Sequence, residues 1–125
     1  MRNLSPSWKE AVQTKKFRIV LAEPAERDLE RLERDVSLQV CRDISSYLEI
    51  NPTPIGKPRI KKLAGFYPPL YRLRSGDIRV YYRLKEGDLV ILAVRPRKDS
   101  EKFLKRIEEE QRAYKKRPAA KQAPG

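Results

Sequence analysis

The segment from residue 71 to residue 97 constrains the fold more than any other, because β-forming apolar residues alternate there with arginines around two turn signals. The turn signals, Ser75-Gly76-Asp77 and Glu86-Gly87-Asp88, are short Gly-containing breaks of the kind that join antiparallel strands. Three strands that reverse direction twice are therefore predicted. Because successive side chains point to opposite faces of a strand, one face of this meander collects apolar residues and the other collects basic and tyrosine side chains: Arg72, Arg74, Arg79, Tyr81 and Arg83.

A strand and two helices are predicted before the meander. Phe17 to Leu21 alternates as a short strand, and Pro24 suits the first turn of the helix that follows. The apolar positions of that helix recur at three- and four-residue steps, and the charged residues between them, Asp28 included, are expected to face solvent. Around Asp35 to Ser37 the chain is expected to break and restart as a second helix. Asn51-Pro52 ends this helix, because proline disfavours helix at its own position and at the one before.

Residues 55–69 form a basic connector for which little regular structure is predicted. It carries Lys61 and Lys62, and two interpretations of these lysines stay open: a solvated loop, or a segment that contacts phosphate groups. Later in the chain, Leu89 to Val94 is so uniformly apolar that a central strand covered on both faces is predicted.

A last helix is expected to start at Asp99 or Ser100 and to end in three consecutive glutamates. At 125 residues the chain fits one domain, with a core of its own. The predicted organisation is an N-terminal extension at residues 1–16, a folded domain at residues 17–110 and a basic tail, expected to be disordered, at residues 111–125.

Composition limits the partners and the chemistry. The 29 Lys and Arg residues exceed the 17 Asp and Glu residues and give a formal net charge of +12, which favours a polyanionic partner: nucleic acid, an anionic membrane surface or an acidic protein. Cys41 is the only cysteine and there is no histidine, so no internal disulfide, metal site or metal cofactor is expected. No apolar run approaches the roughly 20 residues of a membrane span, and a cytoplasmic location is expected. Without histidine, catalysis would depend on Lys, Tyr, carboxylates or electrostatics.

The order strand, helix, helix, basic loop and three-stranded meander, with Lys62-Leu63-Ala64-Gly65 before the segment Tyr71 to Tyr82, resembles the RelE/ParE superfamily of bacterial and archaeal toxins. The resemblance covers roughly residues 17–107 and includes the Pro24-Ala25 opening of the first helix. It implies an α+β fold in which two N-terminal helices pack on a small curved antiparallel sheet (β-α-α-β-β-β) that is followed by a C-terminal helix. It also implies the toxin half of a type II toxin–antitoxin pair, whose partner is a cognate antitoxin that wraps it.

For the RelE-like branch, the resemblance implies a ribosome-dependent endoribonuclease that cuts messenger RNA without metal, by attack of the ribose 2′-OH on the adjacent phosphorus. The matching catalytic positions are Arg72, Arg74, Arg79 and Arg97. Phe103 and Pro96 stand where relatives have tyrosine and histidine. Tyr81 shares the face of Arg79, and two interpretations of it stay open: a functional ring that stacks on a base or shares a proton, or cross-strand packing. Further substrate-binding candidates are Lys61, Lys62, Arg83, Arg95 and Lys98.

Two other functions remain open at this stage. A ParE-like protein poisons DNA gyrase by binding it and needs no catalytic groups, which fits the missing Tyr and His. A superfamily member that has lost toxicity would persist as a binding module, with its basic surface docked on RNA or on an acidic antitoxin. The expected partners are therefore an antitoxin together with either the ribosome and messenger RNA or DNA gyrase.

Overall fold

The computed structural model describes residues 17–49, 51–54 and 59–116, and these form five strands and three α-helices. In chain order the elements are β1 (Arg18–Leu21), α1 (Glu23–Arg31), α2 (Arg34–Leu48), β2 (Ile60–Leu63), β3 (Leu70–Ser75), β4 (Ile78–Lys85), β5 (Asp88–Pro96), a 3-10 turn (Arg97–Asp99) and α3 (Ser100–Lys116). The predicted α+β class is confirmed, as are the two N-terminal helices, the three-stranded meander and the C-terminal helix.

The five strands form one sheet in the order β1-β5-β4-β3-β2. The β2-β3, β3-β4 and β4-β5 pairs are antiparallel, whereas β1 runs parallel to β5. The expectation of a purely antiparallel sheet was therefore wrong at this edge. Because β4 occupies one side of β5, the other side of this apolar strand is left open, and β1 covers its first half through the pairs from Arg18 with Asp88 to Leu21 with Ile91.

The basic connector contains a strand that the sequence pattern did not reveal. Residues Ile60 to Leu63 form β2 and pair with β3 from Leu73 back to Leu70. Ile60 is buried, and Lys61 and Lys62 between the two apolar residues are exposed. The strand forms because Ile60 closes the main core at the sheet edge, and its lysines suit an edge position, where charge discourages pairing with another chain.

Both faces of the sheet are packed. Helices α1 and α2 cover one face and enclose the main core, whose central residues include Val40, Ile44, Leu48, Leu73, Val80, Tyr82 and Ile91. Helix α3 lies against the other face over a smaller core of Leu70, Tyr81, Ala93 and Phe103. Strand β5 contributes to both cores, so the prediction that Leu89 to Val94 is a central strand covered on both faces is confirmed.

Two neighbouring tyrosines of β4 are buried on opposite faces of the sheet. The register shifts between them, since Tyr81 pairs with Ala93 and Tyr82 pairs with Ile91. Tyr82 stacks on Tyr71 with ring centroids 5.5 Å apart, and its hydroxyl donates a 2.7 Å hydrogen bond to the carbonyl oxygen of Pro52. This bond attaches the segment that follows α2 to the main core.

Asp28 of α1 is buried, at 5% exposure, which corrects the expectation that it faces solvent. Its Oδ2 accepts hydrogen bonds from the Val94 backbone N–H and from Arg95 Nε, both at 3.0 Å. Strand β1 stops pairing at Ile91 and leaves the next part of the β5 edge without a strand neighbour. The Asp28 carboxylate occupies that edge, which explains why a charged side chain is buried there.

Some predicted boundaries shift. The break between the first two helices lies at Leu32 and Glu33, before the predicted position. Helix α3 continues to Lys116, so the predicted start of the tail at residue 111 falls within the helix. The predicted extension at residues 1–16 and the end of the tail lie outside the described residues. Within the described part of the chain, no helix is long and apolar enough to cross a membrane.

Candidate nucleic-acid interface

Three arginines stand in one row across the middle of the sheet. Arg74 of β3 pairs with Arg79 of β4, and Arg79 pairs with Arg95 of β5. Paired residues of antiparallel strands have Cα atoms about 4.5–5.5 Å apart, and their side chains share one face, the one on which α3 lies. Arg74 and Arg79 are like charges that repel each other at this separation, whereas the charge of Arg95 is paired with the carboxylate of Asp28. The row is therefore a candidate anion-binding feature of this face.

A second row lies next to the first on the same face. Lys61 of β2 pairs with Arg72 of β3, which pairs with Tyr81 of β4. Arg72 Nε is buried and has no hydrogen-bond partner in the described part of the chain. Burial, followed by the positive charge of Arg79, lowers the pKa of Arg72. The guanidinium of Arg72 is thus a cation partly withdrawn from water.

The turn between β3 and β4 brings Arg79 together with one further functional candidate, Arg97. Arg79 Nη1 donates to the carbonyl oxygens of Gly76 at 2.8 Å and Ile78 at 3.2 Å. The backbone N–H of Arg97 donates to the Asp77 carbonyl oxygen at 2.8 Å. Arg79 and Arg97, which lie far apart in sequence, therefore meet at the same turn. Gly76 makes this turn with a φ of +59°, in the left-handed region that favours glycine.

Arg95 has a structural partner as well as a place in the row. Its Nε contacts the buried Asp28 carboxylate at 3.0 Å, and its guanidinium carbon lies 5.7 Å from the centroid of the Phe103 ring. The side chain is 23% exposed. These two contacts fix the guanidinium of Arg95 against Asp28 of α1 and Phe103 of α3.

Tyr81 is only 2% exposed and lies beneath α3. Its ring packs against that of Phe103 with centroids 4.9 Å apart. Of the two interpretations left open by the sequence, this arrangement favours packing. Phe103, at the position where relatives have tyrosine, is also part of the smaller core. Phe103 has no hydroxyl and Tyr81 is buried, so neither ring presents a hydroxyl at the basic face.

The remaining candidates divide into two groups. Lys98 is exposed beside Arg97 and lines, with it, a groove of about 1090 Å³ between α2, the β3-β4 turn and the start of α3. Lys62 pairs with Tyr71 and so belongs to the opposite face of the sheet. Arg83 lies beyond Tyr81 on β4, and burial lowers its pKa while Glu110 acts in the opposite direction. Lys62 is thus separated from the rows, whereas Arg83 lies on their face, one row beyond Tyr81.

Sequence reasoning missed Asp28, which positions Arg95. The signal was present: Asp28 follows Ala25 by three residues and precedes Leu32 by four, so it lies on the apolar side of α1. A charged residue on such a stripe indicates a buried partner, and in this protein the partner is the β5 edge.

Comparisons with known proteins agree with this architecture. The family model described as the ParE toxin of the type II toxin–antitoxin system parDE matches residues 19–101. The archaeal RelE in the RelE-RelB complex from Pyrococcus horikoshii is 30% identical over 65% of this chain and 94% of its own length, with a TM-score of 0.51. A RelBE2 toxin–antitoxin complex from Mycobacterium tuberculosis gives 19% identity over 65% of this chain and 98% of its own, with a TM-score of 0.49. The RelB-RelE complex from Methanococcus jannaschii gives 19% identity over 67% of this chain and 96% of its own, with a TM-score of 0.48. No protein of curated function matches the chain in sequence.

The family match spans most of the folded part of the chain, and the Pyrococcus relative is covered almost completely. The chain therefore belongs to the RelE/ParE superfamily and is a toxin of a type II toxin–antitoxin system. The resemblance to this superfamily, seen in the order of the elements and in the segments Lys62 to Gly65 and Tyr71 to Tyr82, is confirmed.

Proposed function

We propose that this toxin is a ribosome-dependent endoribonuclease that cleaves messenger RNA in the cytoplasm by metal-free attack of a ribose 2′-OH. The observation that carries the proposal is the row of Arg74, Arg79 and Arg95, with Arg97 attached to the same turn. Guanidinium groups stay charged at all physiological pH values and bind phosphate oxygens in bidentate geometry. A phosphodiester lying along this row would relieve the repulsion between Arg74 and Arg79.

The reaction needs charge stabilisation and proton transfer. The 2′-hydroxyl loses its proton and its oxygen forms a bond to the adjacent phosphorus, while the bond from phosphorus to the 5′-oxygen breaks and that oxygen takes up a proton. The products are a cyclic phosphate and a free 5′-OH. Arg79 and Arg97 stabilise the charge that develops on the phosphoryl oxygens. Because arginine is a poor general base and Tyr81 is buried, proton transfer is assigned to the exposed Lys98 and Lys102.

The proposal includes a cognate antitoxin as the partner that neutralises the toxin. The Pyrococcus relative was solved as a RelE-RelB complex. A chain with a net charge of +12 suits an acidic protein segment as its partner. Antitoxin and messenger RNA would then compete for the same basic face.

Induced expression with primer-extension mapping tests the proposal. We expect growth arrest with codon-positioned cuts in translated messages and little cleavage of naked RNA. Arg79→Ala should reduce cleavage by about 100- to 1,000-fold, the usual effect of removing one charge-stabilising donor. It should lower the free energy of unfolding by only about 1 kcal/mol, since Arg79 is half-buried and loses its contacts to the turn.

Arg106→Ala is the matched control, because it removes the same charge from an exposed position on α3. Arg106→Ala should retain cleavage. Full cleavage by folded Arg79→Ala would overturn the site assignment, and intact messages after growth arrest would overturn the ribonuclease proposal.

A second candidate function, inhibition of DNA gyrase, is favoured by specific observations. The matching family model is that of ParE toxins, and the buried Tyr81 and Phe103 leave the basic face without an aromatic hydroxyl. Gyrase inhibition would need binding groups alone. Accumulation of gyrase–DNA cleavage complexes on induction, with messages intact, would support this candidate over the ribonuclease.

A further inference from the structure

We propose that Tyr67 is a stacking platform for an unpaired nucleobase of the RNA that the basic face binds. The inference rests on the RNA-binding part of the proposed function and extends it to a residue outside the arginine rows. Tyr67 lies in the loop that joins β2 to β3, at the end of the hairpin that carries Lys61 and Arg72.

The exposure of Tyr67 distinguishes it from its neighbour. Tyr67 is 78% exposed, whereas Phe66 packs against the smaller core beneath α3. The other exposed large apolar residues of the described chain, Val36 and Leu38, lie on α2. Most of the Tyr67 ring thus remains accessible to a planar ligand.

The loop holds this exposed ring on a fixed backbone. The backbone N–H of Tyr67 donates to Gln111 Oε1 at 2.9 Å, and Gln111 Nε2 donates to the carbonyl oxygen of Gly65 at 3.1 Å. One side chain of α3 therefore fastens the loop at two points, while Phe66 anchors it in the smaller core. A ring presented on a preorganised backbone loses little conformational entropy when it binds.

The charges near Tyr67 fit a single-stranded nucleic acid. The hairpin closes with the pair Leu63 and Leu70, and the pair Lys61 and Arg72 lies two residues further along the strands, about 7 Å away. Sites for single strands combine a positively charged track with aromatic rings on which bases stack. The hairpin supplies both: a path of phosphate-binding cations and an exposed ring at its end.

Fluorescence anisotropy with a fluorescein-labelled ten-nucleotide oligouridylate tests the proposal. We expect Tyr67→Ala to weaken binding by about 5- to 100-fold, the range found when one base-stacking ring is removed. Tyr67→Trp and Tyr67→Phe should bind like the unmodified protein. The slope of log K against log[salt] should not change in Tyr67→Ala, whereas Lys61→Ala should reduce it by about 0.7.

Two controls separate stacking from other effects. Leu38→Ala removes an exposed apolar side chain on α2 and should bind normally. An abasic oligomer of the same length keeps the phosphates and lacks the bases, so Tyr67→Ala and the unmodified protein should bind it equally. Gln111→Ala, which frees the loop, should weaken oligouridylate binding less than Tyr67→Ala.

Equal affinity of Tyr67→Ala and the unmodified protein for oligouridylate would overturn the inference. So would no measurable binding by the unmodified protein at low salt. Messages cut on induction, together with normal oligouridylate binding by Tyr67→Ala, would leave the ribonuclease standing and remove the stacking platform. Tyr67-dependent binding of oligouridylate without any cleavage of messages would support the stacking platform and overturn the ribonuclease proposal.

Discussion

At the scale of single residues, Tyr82 illustrates how the main core fixes a polar group. The ring is completely buried, it stacks on Tyr71, and its hydroxyl donates to the Pro52 carbonyl oxygen at 2.7 Å. Burial, with a further contribution from Tyr71, raises the pKa of Tyr82 well above its ordinary value of 10.0. The folded protein therefore keeps this hydroxyl protonated under conditions in which the unfolded chain ionises it.

This pKa shift predicts a loss of stability in alkaline solution. The raised pKa means that the contribution of Tyr82 is fully present below about pH 10, the pKa of an unfolded tyrosine, and is lost as pH rises towards the folded pKa. Tyr82→Phe should lower the free energy of unfolding by about 1 kcal/mol at pH 7, through the lost hydrogen bond. Urea denaturation from pH 7 to pH 11 should show a shallower decline for Tyr82→Phe. Parallel declines for the two proteins would contradict this prediction.

Residue-level patterns predicted the basic face well and the surroundings of its members less well. Alternation along β4 correctly placed Arg79 and Tyr81 on one face and Val80 on the other. Alternation does not indicate what covers a face. Because α3 packs on that face, Tyr81 is buried although it shares the side of the arginine row.

At the scale of elements, α1 depends on Asp28 for its attachment to β5. The Asp28 carboxylate joins the Val94 N–H to the Arg95 guanidinium, and Arg31 Nη1 lies 3.8 Å from Oδ1. Removing it leaves a buried N–H and a partly buried cation without this acceptor. The helix and the arginine row are thus connected through one carboxylate.

Asp28→Ala should therefore lower the free energy of unfolding by about 3–5 kcal/mol, the cost of removing one partner of a buried ion pair. Asp28→Asn should cost less, because the amide oxygen can still accept a hydrogen bond. Glu30→Ala, an exposed change on the same helix, should stay within about 0.5 kcal/mol. Urea denaturation measures all three. Similar values for Asp28→Ala and Glu30→Ala would show that the contacts of Asp28 do not stabilise the fold.

Elements differ in how far the sequence predicts them. The meander was predictable because its apolar residues alternate with basic ones around two clear turn signals. Helices α1 and α2 were predictable because their apolar residues recur at helical spacing and prolines mark the start of α1 and the end of α2. Strand β2 has only four residues, two of them lysines, too few for alternation to emerge from a basic segment. Strand β1 runs parallel to β5 because it pairs with the edge of β5 that β4 leaves open. No local sequence pattern predicts which edge stays open.

At the scale of the whole molecule, the sheet divides the protein into two functional sides. Helices α1 and α2 enclose the main core on one side. On the other side α3 covers Tyr81, while Arg74 is exposed and Arg72, Arg79 and Arg95 are partly exposed. The net charge of +12 indicates a polyanionic partner, but the net charge alone does not indicate where that partner binds. The paired positions of Arg74, Arg79 and Arg95 concentrate part of the charge at one site.

This concentration can be separated from overall basicity. Arg74→Gln and Arg106→Gln remove one charge each from exposed positions, the first in the arginine row and the second on α3. If binding depends on the row, Arg74→Gln should weaken oligouridylate binding and reduce the salt slope by about 0.7, the contribution of one phosphate contact to a single strand. Arg106→Gln should leave the slope unchanged. Equal reductions of the salt slope in the two variants would mean that binding depends on the overall charge of the protein. The assignment of the RNA site to the basic face would then be wrong.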